Sequence, residues 1–507
     1  MHASFSLVDY VLLIAYVLTS LAVGLWFARS QKSVEGYFLA GRSAPWWVVA
    51  ISLISSDTSA ISYMGVAALV FMGDLQLFPA AIALPFGALF VAYAFVPFLA
   101  RHKVFTIYEY LEHRFSLQVR TFASALFILM RGTHLAVALY AAGLALSQVM
   151  GLPMWISLAT LGGLTTLYTV LGGMKAVLWT DVMQFFVMMI GLVAILIGVS
   201  TAFGWDLSAI WNLASHPPSE SVPWLDGKSS AASHTRMFDF SFSPAAMTFW
   251  AVIINSFLTF VGSYGSDQVL VQRYLSAGSK KSMAASLIGA SLLTVPVNLI
   301  FFATGVFLVA FYYRFLHVPG HEWVGGLTDA NRVITHFISN GLPGKLGAIV
   351  IAGLFAGTMS SFSAGLNSLS TATYIDFVTR FGGPARSERQ GVARAKLLTL
   401  FWGVAIVLVA ALIGGSDSIF AIGAKVIGPF SGPLLGIFLL GMLSRRANNV
   451  GAIAGAIVGA AATVYVPYCT PIHWLWYVVV GRMVGFSAGY VLSFLQPAPV
   501  LRAEASA

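Results

Sequence analysis

Apolar stretches long enough to cross a bilayer recur along almost the whole chain. They fall at 7–28, 45–72, 78–100, 120–150, 155–173, 176–203, 244–265, 282–314, 344–379, 395–415, 417–441, 447–467 and 471–494. About 20 apolar residues span the hydrocarbon layer as an α-helix. In that medium every backbone polar group has to be satisfied internally, which leaves only helices and closed barrels. The expected fold is therefore an all-α polytopic membrane protein of about 13 transmembrane helices. Composition agrees: 58% of the 507 residues are hydrophobic and 9% are charged, against about a quarter charged in soluble proteins.

The distribution of positive charge tests these boundaries. Cytoplasmic loops of membrane proteins are enriched in Lys and Arg. One set of alternate loops holds Arg29, Lys32, Arg42, Arg101, Lys103, Arg114, Arg120, Lys175, Arg273, Lys280, Lys281, Arg380, Arg386, Arg389, Arg394, Lys396, Arg445, Arg446 and Arg502. The opposite set holds only Lys228, Arg236, Arg314, Arg332 and Lys345. The first set is expected to be cytoplasmic, with the N-terminus outside and the C-terminus inside. The net charge of +9 follows from this bias and points to a lipid bilayer, not to nucleic acid. The expected location is the plasma membrane, or the inner membrane in a Gram-negative bacterium. No Lys or Arg precedes 7–28, so that stretch is a first membrane helix and not a secretory signal. With one cysteine, Cys469, the chain has no intrachain disulfide and no cysteine-based metal motif. The tail after Phe494 is too short for a further domain, and 329–340 in an outer loop is expected to form a short helix along the surface.

Within 45–72 lies the polar run Ser52-Leu-Ile-Ser-Ser-Asp-Thr-Ser-Ala-Ile-Ser62. The serines alone would suit a close helix-packing face. Asp57 changes that, because a carboxylate at this depth costs a few kcal/mol unless it serves a site. A helix interrupted here would turn freed backbone groups towards a bound ion or solute. The five segments of 45–203 and the five of 244–441 form two groups, and an odd number inverts the second relative to the first. That is the inverted-repeat plan of many secondary transporters, with 7–28 and 447–494 peripheral. In the second group, Val261-Gly-Ser-Tyr-Gly-Ser-Asp267 is the corresponding place for a break, or else the helix simply ends at Gly265.

Further candidates lie deep in other segments. Gly353, Gly357 and Ser360 share a small-residue face, and Ser361 and Ser363 follow. Hydroxyls and freed carbonyls make an oxygen-rich shell suited to a hard monovalent cation, while serines of this kind also serve packing. Asp181 is either a solvated acid near a helix end or part of an inner ion path. Arg131 and His134, three residues apart on one face, and Lys425 are cationic or titratable groups near the midplane. They pair with Asp57 or carbonyls, or they contact an anionic group on a cargo; His134 is also a candidate proton carrier.

These stretches together resemble the sodium/solute symporter family, which includes sodium-coupled sugar, proline, monocarboxylate and sialic acid carriers. The resemblance rests on Phe38-Leu-Ala-Gly-Arg42, Gly172-Gly with Trp179-Thr-Asp181, Asp267-Gln-Val-Leu-Val-Gln-Arg-Tyr-Leu275, Met359-Ser-Ser with Asn367-Ser and Asp376, and Gly441-Met-Leu-Ser-Arg-Arg446 with Gly451-Ala-Ile-Ala-Gly455. It implies a 5+5 inverted-repeat, LeuT-like core with peripheral helices. It also implies a sodium site formed by Ser55, Thr58, Gly357, Ser360 and Ser361. Asp57 falls where proline-carrier relatives keep an aspartate for sodium coupling. A second sodium in some relatives would correspond to Asp181, Ser360 and Ser363, but Ala364 replaces a hydroxyl there. Lys425 stands where sugar carriers place a sugar-contacting glutamine, and the acid those carriers use has no nearer counterpart than Asp74. Sialic acid relatives carry a carboxylate-binding arginine that aligns near His134, one turn from Arg131.

The resulting expectation is sodium-coupled symport by alternating access, without a cofactor. The partners are the sodium ion and a small organic solute docking near Asp57, Ser62, Arg131, His134 and Lys425. A carboxylate-bearing solute fits these cations best, with a sugar or polyol as the alternative; a proton-coupled carrier and a solute sensor share the scaffold. No His-Glu-x-x-His or Gly-x-Gly-Asp motif is present, and the Gly-x-Ser-x-Gly match at Gly485 to Gly489 lies inside the apolar stretch 471–494, not at the strand-to-helix turn that exposes a nucleophile, so an enzyme is not expected.

Overall fold

A computed structural model describes residues 7–29, 31–219, 222, 224, 233–342, 346–413 and 419–496, with side chains described from Val11 onward and only the backbone over 419–429. The principal helices are α1 (Leu7–Ala28), α2 (Trp46–Asp57), α3 (Ala60–Met72), α4 (Ala80–His102), α5 (Leu117–Met150), α6 (Met154–Ala202) and α7 (Phe249–Ser266). They continue as α8 (Gln268–Leu275), α9 (Lys280–Phe315), α10 (Leu346–Ala372), α11 (Glu388–Leu412), α12 (Ile419–Leu443), α13 (Asn449–Cys469) and α14 (Leu475–Leu492). No strand occurs among the described residues.

Ten of the described helices are individually long and apolar enough to cross a bilayer, or eleven when Val34–Arg42 and Trp46–Asp57, bent by 109°, are taken as one. The ten fall short of the expected 13 at three places, two of them at glycine or helix breaks and the third at the limit of the described residues. The segment 45–72 is split into helices of 12 and 13 residues, each shorter than a full span. The segments 155–173 and 176–203 run together as α6, which turns at Gly173 (φ 57°, ψ −155°). A left-handed φ with that ψ is glycine territory, and an added Cβ would sit 2.8 Å from the Tyr37 carbonyl. A hydrogen bond of 3.4 Å from Gln184 Nε2 to the Tyr168 hydroxyl joins the two arms. The third is α12, whose first part falls at the edge of the described residues.

The centre of the bundle is α10, where every residue from Val350 to Ala372 is buried. Its small residues allow this. Gly353 faces Gly191 of α6, and an added Cβ would meet the Gly191 Cα at 3.2 Å. A second close approach joins α13 and α14. An added Cβ on Gly455 or Gly459 would come within 2.6 or 2.7 Å of the carbonyls of Gly485 and Gly481, so the two backbones touch, as small-residue interfaces in membranes permit.

Two cations expected in loops are buried instead. Arg273 is fully buried on α8, and Arg120 is 4% exposed. Arg120 donates to Asp376 from Nε at 2.8 Å and from a terminal nitrogen at 2.6 Å. Ser124 and Thr106 complete the shell of Asp376, each at 2.8 Å. The short helix expected along the surface forms as Val333–Asn340, but Val333, Ile334, Phe337 and Ile338 are buried. Its apolar face packs on the bundle.

Candidate functional site: two broken helices and the cavity between them

The first break lies between α2 and α3. The last ladder bond of α2 runs from the Thr58 N–H to the Ile54 carbonyl at 3.0 Å, and the ladder resumes from Tyr63 to Ser59 at 2.9 Å. Thr58 (φ −96°, ψ 109°) and Ser59 (φ −108°, ψ 178°) are extended. The Ser59 hydroxyl then accepts from the Ile61 N–H at 3.2 Å and caps α3, a role serine fills well. Carbonyls around Ser55 to Thr58 are thereby released from helical bonding.

The second break is sharper. α7 ends at Ser266, Asp267 is extended (φ −91°, ψ 118°), and α8 starts at Gln268. The Asp267 side chain caps α8 by accepting from the Val269 N–H at 2.9 Å. So the helix does not end at Gly265; it is interrupted two residues later and continues.

At the first break, Ser361 Oγ lies 3.0 Å from the Thr58 carbonyl and 3.0 Å from the Gly357 carbonyl. Three of the five residues named from the sequence thus converge on one spot. The Ser55 hydroxyl is buried without a hydrogen-bond partner among the described residues. Ser360 turns the other way and donates to Asp181 Oδ1 at 2.7 Å.

Asp181 is fully buried, not solvated. Its other oxygen accepts from Ser52 at 2.5 Å and from Arg273 at 3.3 Å. Ser363 donates to the Ser360 carbonyl at 3.0 Å and not to Asp181. A buried carboxylate held by two hydroxyls and a guanidinium is a satisfied pair, and no local pattern marks Arg273 as its partner.

Between the two breaks lies a cavity of about 220 Å³, lined among others by Asp57, Arg131, His134, Thr259, Asp267 and Arg482. A smaller one of about 150 Å³ shares Asp57 with Asn255, Thr259, Ser263 and Tyr264. Arg131 pairs with Asp267, Nε to Oδ2 at 2.7 Å with a second contact from its terminal nitrogen. It does not pair with Asp57. Ser62 is half-buried on α3 and lines neither cavity. Lys425 falls in the part of α12 whose side chains are outside the described residues. Asp267 and Arg482, both lining the cavity, were not among the candidates read from the sequence. No cluster of His, Cys, Asp and Glu suited to a transition metal occurs among the described residues. The oxygen-rich break suits an alkali cation and the cavity a small polar solute.

A family model described as the sodium:solute symporter family matches residues 37–459. The sodium-dependent multivitamin transporter of Oryctolagus cuniculus is 32% identical over 90% of this chain and 70% of its own length. The sodium/sialic acid symporter of Aliivibrio fischeri is 28% identical over 96% of this chain and 93% of its own. Among solved structures, a substrate-bound, outward-open Na+-coupled sialic acid symporter superposes with a TM-score of 0.86 at 27% identity, covering 98% of this chain and 99% of that one. A nucleobase-cation-symport-1 family transporter in a closed conformation shares the fold, with a TM-score of 0.53 at 13% identity.

Proposed function

The chain belongs to the sodium:solute symporter family, and on that premise we propose how its own residues divide the work of sodium-coupled symport. The activity is transport of a small organic solute with sodium across a membrane, not enzymatic catalysis, and it needs no bound cofactor. Sodium binds at the first break, held by carbonyls of Ser55, Thr58 and Gly357 and by the hydroxyl of Ser361, joined by that of Ser360 once it leaves Asp181. The observation that carries this assignment is the 3.0 Å approach of Ser361 Oγ to two carbonyls on different helices.

The cation ties α2–α3 to α10. If it favours the same state as the solute, each ligand raises the affinity for the other, and coupling needs nothing more. The two moving groups are the five-helix sets 45–203 and 244–441, with 7–28 and 447–494 outside them. The N-terminus lies outside and the C-terminus in the cytoplasm, an orientation supported by the loop charges.

The solute docks in the cavity at Asp57, Arg131 and His134, with Lys425 a further contact proposed from the sequence, and it carries a carboxylate; Ser62, which lines neither cavity, drops out of the set. The guanidinium groups of Arg131 and Arg482 in its lining support this, as do the names of the sialic acid and monocarboxylate carriers that the chain is similar to. A second sodium at Asp181, Ser360 and Ser363 requires Arg273 to withdraw from Asp181, since the guanidinium already neutralises that carboxylate. The test is uptake into proteoliposomes of a panel of carboxylates, sugars and amino acids, each under an inward sodium gradient and under potassium alone. Sodium-dependent uptake of an acid is expected; uptake of a neutral sugar alone would overturn the carboxylate assignment.

A further inference from the structure

We propose that Arg482, on the peripheral helix α14, is the cavity's carboxylate receptor; this rests on the carboxylate reading above. Arg482 is 5% exposed and lines the cavity. Among the described residues its one hydrogen bond is a long one, from a terminal nitrogen to Thr259 Oγ1 at 3.4 Å, and its Nε–H has no partner there. Among the described residues no carboxylate lies within ion-pairing distance of it. A guanidinium has five N–H donors, and a buried cation without a counter-ion is costly unless an anion arrives to share the site.

The charges of the cavity single this residue out. Arg131 is already committed to Asp267. Asp57 opens into the same cavity. Asp57, Asp267, Arg131 and Arg482 together carry no net charge, so one sodium and one monocarboxylate enter as a neutral pair. A guanidinium presents parallel donors that fit the two oxygens of a carboxylate.

The fold also makes room for this side chain. Gly262 of α7 faces it, and an added Cβ there would come within 3.0 Å of the guanidinium. The glycine contact of α13 with α14 fixes the backbone next door: an added Cβ on Gly481 would lie 1.8 Å from Thr463 Oγ1. The arginine is therefore held over the cavity by packing and not by an acid.

The test uses the purified full-length carrier, followed by ligand-induced thermal shift in sodium. The probes are sialic acid, lactate, their uncharged methyl esters, and glucose. Wild type should prefer an acid to its ester. Arg482→Gln should weaken the acid on the order of 100-fold, as for loss of one partner of a buried charge pair, and should bring acid and ester level. Arg482→Lys should weaken the acid less while still preferring it to the ester. The shift produced by sodium without solute reports that each variant is folded; should Arg482→Gln lack it, the comparison is made on Arg482→Lys. A variant that prefers the acid as strongly as wild type overturns the role of Arg482 and leaves the carboxylate reading standing. A wild-type protein that responds to glucose and to no acid overturns both.

Discussion

Ser361 Oγ sits 3.0 Å from the carbonyls of both Thr58 and Gly357, bridging a helix break to the buried central helix. Its one proton cannot serve both acceptors fully. In the proposed site, a sodium ion entering among these oxygens would relieve that shortage, the hydroxyl offering a lone pair instead of its proton.

Ser361→Ala removes that oxygen and leaves the rest of α10 packed. Half-saturation of transport by sodium should rise on the order of 10-fold, consistent with the loss of about one hydrogen-bond-sized contact to a charged group. Sodium titration of solute uptake measures this. The maximal rate at saturating sodium should change less than the half-saturation constant.

Asp181 and Arg273 are both fully buried and joined at 3.3 Å. Asp181→Asn leaves a buried guanidinium without its counter-ion, which costs about 3–5 kcal/mol. Thermal unfolding in detergent should show a large fall in melting temperature. Restoring much of it with Arg273→Met in the Asp181→Asn background would confirm that the loss comes from the stranded charge.

At Gly455 an added Cβ would meet the Gly485 carbonyl at 2.6 Å. Gly455→Val must separate α13 from α14, and overpacking of this kind costs about 1–3 kcal/mol. Because α14 carries Arg482, the variant should lose solute affinity more than sodium affinity. Separate titrations of the two ligands distinguish this from a general loss of stability.

Outside the membrane-spanning segments, Glu112 is pulled down to about 2 from the usual glutamate range, chiefly by its hydrogen bond to Arg380 and then by Arg120. A carboxyl depressed in the folded state contributes stability that is complete above the unfolded value of about 4.3. It is lost as pH falls from there through about 2. Since the pair with Arg380 is partly exposed, Glu112→Gln should cost no more than about 1 kcal/mol at neutral pH. The variant should also unfold with a shallower acid dependence between those two values, which denaturant titrations at several pH values measure.

The apolar spans and the helix break around Asp57 were legible because they depend on local composition and spacing, whereas the convergence of Thr58, Gly357 and Ser361 was implied only by the family resemblance. Partner choice was not legible. Asp181 and Arg273 are 92 residues apart, and nothing in the pattern around either names the other; Arg273 read as one more loop cation. Arg131 pairs with Asp267 and not Asp57 because the second break points the Asp267 side chain at it, a three-dimensional fact. Arg482 was within reach of sequence reasoning. It stands alone in the middle of the apolar stretch 471–494, and the rule that flags Arg131 as a membrane-buried charge applies equally to it. Individual helices are fewer than the expected spans where the chain turns at Gly173 from one helix directly into the next, and where the break at Thr58 leaves each half short.

The central claim is that sodium at the Ser361–Thr58 bridge drives solute entry, and the most direct measurement is solute uptake into proteoliposomes under three imposed gradients. With an inward sodium gradient, wild type should accumulate a carboxylate above its outside concentration, and Ser361→Ala should need more sodium to do so. An inward proton gradient without sodium should give no accumulation. Accumulation driven by protons alone, with sodium making no difference, would contradict the account and move the coupling ion to Asp57 and His134.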